Sequence, residues 1–110
     1  NTGIVCSLYS SKPIDDLPLD KKSQAYRIIQ ECVNNTLKHA GATALKVTFK
    51  RENGSLIMKY RDNGKGINGT KNNDGIGMQT IRERARLIGA KLNFGSTDRG
   101  FQLILTIPFQ

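Results

Sequence analysis

Apolar residues recur along this chain with two periods, and the change from one to the other marks its elements. From Ala25 the positions Ile28, Ile29, Cys32, Val33, Leu37 and Ala40 keep the i, i+3, i+4, i+7 spacing of one buried helix face. Asp20 stands where an N-cap belongs and Gly41 where a helix stops. Leu45, Val47 and Phe49 alternate with polar residues within 44–52, as do Leu56, Met58 and Tyr60 within 55–61, so both segments read as strands with one face buried. Asn53-Gly54 between them predicts a tight hairpin, because the favoured two-residue turn needs positive φ at both positions. A short strand over 3–10 and a Pro-containing connection over 12–18 precede the helix. Over 62–77 periodicity gives way to glycine and asparagine, which predicts a loop that is long for so small a domain. A second helix over 78–88 places Met78, Ile81, Ala85 and Ile88 on one face and closes at Gly89, and strands over 91–95 and 101–109 complete the chain. The order β-α-β-β-loop-α-β-β predicts an α+β fold, a two-layer α/β sandwich with helices on one face of a mixed sheet, as one domain over 1–110.

Composition changes this picture little. A chain of 110 residues buries roughly two thirds of its unfolded surface, enough for a core without disulfide or metal staples. Seventeen Lys+Arg against nine Asp+Glu give +8, a balance that suits nucleic acid, yet the positive residues are scattered from Lys12 to Arg99 and never exceed two in succession. No direct nucleic-acid partner is therefore expected. Leu103-Ile104-Leu105 is far short of the ~20 apolar residues of a membrane span, so no membrane contact is expected either. The start at Asn1 shows neither an initiator Met nor a signal peptide and reads as a piece of a longer chain. Cys6 and Cys32 lack metal-site spacing, which favours reduced thiols in a cytoplasmic setting.

Three segments carry candidate chemistry. On a helical projection with Glu31 at zero, Asn35 falls at about +40° and Lys38 at about −20°, while the apolar stripe centres near about +150°. A carboxylate, a carboxamide and an ammonium thus share the face turned away from the core; taken alone, this pattern also fits a solvated helix face. His39, at about +80°, borders the core. The second segment, Asp62-Asn63-Gly64-Lys65-Gly66, puts an Asp at a strand end before two glycines that let backbone approach a ligand, although Asp-x-Gly is also a common turn. The third, Gly75-Ile76-Gly77-Met78, leads into the second helix, where free backbone N–H groups can hold an anion.

In this order the segments resemble a known family. The stretch 30–40 is similar to the N box of the superfamily that unites gyrase, the heat-shock chaperone, mismatch-repair ATPases and sensor histidine kinases. Asp62-Asn63-Gly64-Lys65-Gly66 resembles its first glycine box and Gly75-Ile76-Gly77-Met78 its second. The stretches 78–85 and 103–109 resemble the kinases whose response regulators carry helix-turn-helix output domains. The similarity runs from about Asp20 to Phe109.

The resemblance implies a Bergerat-type ATP-binding fold with ATP and Mg²⁺ as cofactors. It implies Asn35 as metal ligand, Lys38 and His39 near the phosphates, and Glu31 as the family's acid, here more suited to orienting the metal's hydration shell than to activating water. It implies Asp62 as acceptor of the adenine amine, with Gly64, Gly66, Gly75, Gly77 and Met78 lining the nucleotide and a short lid over 67–74. Lys65 and Lys71 fit phosphate contacts and solvated loop positions equally. Asn34 is off-register, at about −60°. Phe101 departs from the pattern, which places Thr after the last glycine. The implied activity is that of a protein histidine kinase in two-component phosphorelay, with a dimerisation and phosphoacceptor domain and a response regulator receiver domain as partners. The only histidine lies inside the N box, so the acceptor is elsewhere. Two alternatives use the same fold: an anti-sigma-type serine kinase, against which Arg82-Glu83-Arg84-Ala85 argues, and an inactive nucleotide-binding module, against which Glu31, Asn35 and Asp62 argue.

Overall fold

The computed structural model describes residues 5–10, 17–37, 42–64, 76–97 and 100–109. Its elements are β1 (Val5–Ser10), α1 (Leu19–Asn35), β2 (Ala44–Glu52), β3 (Ser55–Asp62), α2 (Ile76–Leu87), β4 (Lys91–Thr97) and β5 (Gly100–Pro108). They form one five-stranded mixed sheet in the order β1-β2-β3-β5-β4, with β1 parallel to β2 and every other pair antiparallel. The parallel pair requires a crossover, and α1 supplies it. Asn53 and Gly54 take φ of 53° and 78°, the positive values their hairpin demands.

Alternation along the strands sorts the sheet into two faces. Val47, Phe49, Leu56, Met58, Tyr60, Leu103, Leu105 and Ile107 turn inward, while Lys46, Lys50, Lys59, Arg61 and Gln102 stay exposed on the other side. Ala25, Ile28 and Cys32 of α1 and Met78, Ile81 and Ala85 of α2 close the core over the inward face. The helices run antiparallel. Lys21, near the start of α1, donates to the Pro108 carbonyl at 2.6 Å, and Gln24 accepts from Arg84 in the last turn of α2 at 2.9 Å. The far end of α1 thereby points to the sheet end where β3 finishes and β5 begins.

Several boundaries differ from expectation. Pro18, not Asp20, precedes the first turn of α1; the Pro18 carbonyl accepts from the N–H groups of Lys21 and Lys22 at 3.0 Å each, and no side chain caps the helix. Asp20 instead sits within the first turn, where its charge suits the positive helix end. The α-helix stops at Asn35 and widens through residues 36–37, so Leu37, expected in the core, is 46% exposed while Thr36 turns inward. Asp62 belongs to β3, and Ile76 and Gly77 to α2, whose first-turn N–H groups need no intrahelical partner. At its other end Gly89 takes φ 67° and the Ala90 N–H reaches the Ala85 carbonyl at 2.9 Å, the expected glycine stop. β4 runs two residues beyond its expected end, because Ser96 and Thr97 still pair with Phe101 and Gly100.

Several arginines make contacts within the fold. Arg51 lies 4.0 Å from the centroid of Phe109 and Arg82 lies 5.1 Å from that of Phe94, while Arg86 pairs with Glu83. Among the described residues no helix is long and apolar enough to cross a membrane.

Candidate functional site

Asp62 ends β3 with its carboxylate buried, only 9% exposed. A carboxylate taken from water needs hydrogen bonds in return, and three donors supply them. Oδ1 accepts from the Gly64 N–H at 2.9 Å and, longer, from the Phe101 N–H at 3.4 Å; Oδ2 accepts from the Thr36 hydroxyl at 2.9 Å. The Gly64 contact closes the turn within which Asn63 acts as a clasp. Asn63 Oδ1 accepts from the N–H groups of Thr43 and Ala44 at 2.9 and 3.0 Å, and its Nδ2 donates to Thr43 Oγ1 at 2.9 Å. The position of Asp62 is therefore set from both chain directions.

The start of β5 presses against the same turn. Gly100 has φ 138°, and a Cβ there would stand 1.9 Å from the Asp62 carbonyl oxygen. No other residue type fits without moving the backbone. Phe101 follows, its ring 6.4 Å from those of Tyr60 and Phe94, so position 101 contributes an apolar wall and a backbone N–H where the expected pattern has a hydroxyl.

Of the other expected residues, Glu31, Asn35, Gly64, Gly77 and Met78 belong to the described structure. Glu31 and Asn35 are half-buried on the last two turns of α1, and Asn34 is exposed. Thr36, next in sequence to Asn35, carries the contact that joins the end of α1 to Asp62. Gly77 lies in the first turn of α2. The Met78 side chain packs in the core at 5% exposure, which leaves only its backbone to face a ligand. Lys38, His39, Lys65, Gly66, the lid over 67–74 and Gly75 lie outside the described residues. Between the two carboxylates Cys32 is buried and free; burial, with the negative charges of Glu31 and Asp62, pushes its thiol up to about 12 and leaves it neutral and unreactive.

Sequence reasoning missed Thr36 and Tyr60 as parts of this site. For Thr36 a signal was present: five residues past Glu31 it falls at about +140°, in the middle of the apolar stripe. A hydroxyl on a core-facing helix position needs a partner, and Asp62 is that partner.

Comparison with known proteins agrees with this geometry. Residues 20–110 match the model of the family described as histidine kinase-, DNA gyrase B- and HSP90-like ATPase. The chain belongs to this ATPase family. The chain is 32% identical over 111 residues to the sensor histidine kinase MctS of Rhizobium johnstonii, covering 97% of this chain and 24% of that protein. It is 34% identical over 116 residues to the sensor histidine kinase YdfH of Bacillus subtilis, covering 100% and 28% respectively. It thus spans about a quarter of the length of these curated relatives. Among solved structures, a blue-light activated histidine kinase of Erythrobacter litoralis superposes with TM-score 0.85 at 21% identity, over 99% of this chain and 36% of that one. The ATP binding domain of PrrB from Mycobacterium tuberculosis superposes with TM-score 0.73 at 20% identity, over 96% and 80%. These two likenesses establish the ATPase-family fold.

Proposed function

We propose that this chain is the ATP-binding catalytic domain of a sensor histidine kinase, which holds ATP with Mg²⁺ and donates the γ-phosphate to a histidine on a separate dimerisation domain. The observation that carries this reading is the state of Asp62. Among the described residues its Oδ1 meets two N–H donors, whereas Oδ2 meets the Thr36 hydroxyl alone and keeps acceptor capacity for one more. An exocyclic amine such as that of adenine satisfies it. A guanine carbonyl at the same place sets two acceptors against each other and forfeits a charged hydrogen bond of about 1.5–3 kcal/mol.

Asn35 and Glu31 offer the phosphate end of the nucleotide hard oxygen donors from one helix face, the donor chemistry that Mg²⁺ prefers. When bound, Mg²⁺ neutralises charge on the β- and γ-phosphates. Asn35 would ligate the ion through its side-chain carbonyl, and Glu31 would orient the ion's water shell. Lys38 and His39 would meet the phosphates. Gly64, Gly66, Gly75 and Gly77, with the Met78 backbone, would let main chain approach the nucleotide closely.

The acceptor histidine lies outside this sequence, since His39 belongs to the N-box segment. The receiver domain of a response regulator is the next partner, and the reaction takes place in the cytoplasm, where reduced thiols such as Cys32 persist. Calorimetric titration with ATP, ADP and GTP, with and without Mg²⁺, tests the reading. Adenine nucleotides should bind and GTP should not; equal affinity for GTP contradicts it.

A further inference from the structure

Asp62 does not hold its orientation alone. Thr36 Oγ1 donates to its Oδ2 at 2.9 Å, and the Tyr60 hydroxyl in turn contacts Thr36 Oγ1 and reaches the Cys32 carbonyl at 3.1 Å. Each hydroxyl carries one hydrogen. An ionised Asp62 can only accept, so the Thr36 hydrogen points to Oδ2. Tyr60 is then the donor of its pair with Thr36. The Tyr60 hydrogen is shared between Thr36 Oγ1 and the Cys32 carbonyl, whose two lone pairs take it beside the Thr36 backbone N–H. All three side chains are buried: Tyr60 is 0% exposed, Thr36 2% and Asp62 9%.

Resting on the adenine reading of Asp62, we infer that Thr36, supported by Tyr60, is the positioning residue for base recognition, in that its hydroxyl aims the free acceptor site of Oδ2 at the exocyclic amine. Both Oδ1 donors are backbone N–H groups on the other side of the carboxylate, and Thr36 is the only side chain among the described residues that donates to Asp62. Without it Oδ2 loses the one side-chain donor that holds it among the described residues. The Phe101 ring, packed against Tyr60 and Phe94, offers no hydroxyl to replace it. Thr36 keeps its core-facing phase into the widened turn at 36–37, while Leu37 stays outside. Because Thr36 directly follows Asn35, the same turn fixes the spacing between the residues proposed for base and for metal.

The test compares ADP with purine riboside diphosphate, which lacks the exocyclic amine, on the intact 110-residue chain. The ratio of the two affinities is unaffected by any loss of folded protein, since both nucleotides draw on the same folded population. Thr36→Val keeps the shape and removes the hydroxyl. It should weaken ADP about tenfold while leaving purine riboside diphosphate within about twofold, and Thr36→Ser should restore the wild-type ratio. Tyr60→Phe should lower the ratio in the same direction by about threefold. If Thr36→Val weakens both nucleotides equally, or leaves the ratio at the wild-type value, Thr36 only packs and the inference is overturned. Asp62→Asn separates the two levels: a ratio unchanged in that variant removes the adenine reading itself, whereas a ratio lost there but kept in Thr36→Val overturns the positioning role alone.

Discussion

Gly100 lies so close to Asp62 that a Cβ at position 100 would stand 1.9 Å from the Asp62 carbonyl oxygen. The first residue of β5 thus fixes how tightly that strand closes against the end of β3, and with it where the Phe101 N–H meets the Asp62 carboxylate.

Gly100→Ala should therefore lower stability by about 3 kcal/mol, combining an unfavourable φ with a displaced strand end. Gly95, whose added Cβ would meet nothing within 4 Å, is the control: Gly95→Ala should stay within about 0.5 kcal/mol of wild type. Chemical denaturation of both variants checks the contrast.

The widened turn at the end of α1 separates two aliphatic residues that share one periodic pattern. Ile28 is 0% exposed and Leu37 46%. Ile28→Ala should cost about 2–5 kcal/mol, and Leu37→Ala less than about 1 kcal/mol. Similar losses in thermal or denaturant melts would place Leu37 in the core, as the bare pattern expected.

Much of this fold was legible because the deciding signals are local. Asn53-Gly54 and the alternation on either side give the β2–β3 hairpin its register, and Gly89 gives α2 its end. What was not legible depends on contacts across the fold. Asp20 has the right chemistry for a cap, yet the Pro18 carbonyl starts the helix two residues earlier. The close of α1 is decided by Thr36, whose hydroxyl finds Asp62 only once β3 lies beneath the helix, 26 residues later in the chain. Glu31, Asn35 and Asp62 were expected through the family resemblance of their segments, whereas Tyr60 joins the site only through strand pairing.

Cys32 provides a pH test. Its thiol rises from an ordinary 9.0 to about 12 in the folded chain, through burial and then the charges of Glu31 and Asp62. Below pH 9 the thiol is protonated whether the chain is folded or unfolded, and its stabilising contribution is complete. As pH rises from 9 toward 12 the unfolded chain releases the proton first, so stability falls. Between pH 8 and 10 the wild type should lose more stability than Cys32→Ala, and peptide mapping after alkylation at pH 9 should show Cys32 unmodified unless denaturant is present.

Asn35→Ala should remove most of the Mg²⁺ dependence of ATP binding and spare ADP binding measured without the ion, because it deletes a proposed metal ligand and leaves the base contact. Asn34→Ala, on the exposed side of α1, should change neither. Greater sensitivity at Asn34 would shift the N-box register by one residue. Calorimetry of the two variants with and without Mg²⁺ decides between them.

Adenine recognition by Asp62 is tested most directly by the ADP affinity of Asp62→Asn, measured by calorimetry with thermal melting on the same samples. Asn keeps the shape of the side chain while removing its charge. The expected result is a loss of affinity of about tenfold or more in a chain that still melts cooperatively. Wild-type affinity for ADP in a folded Asp62→Asn chain would contradict the assignment.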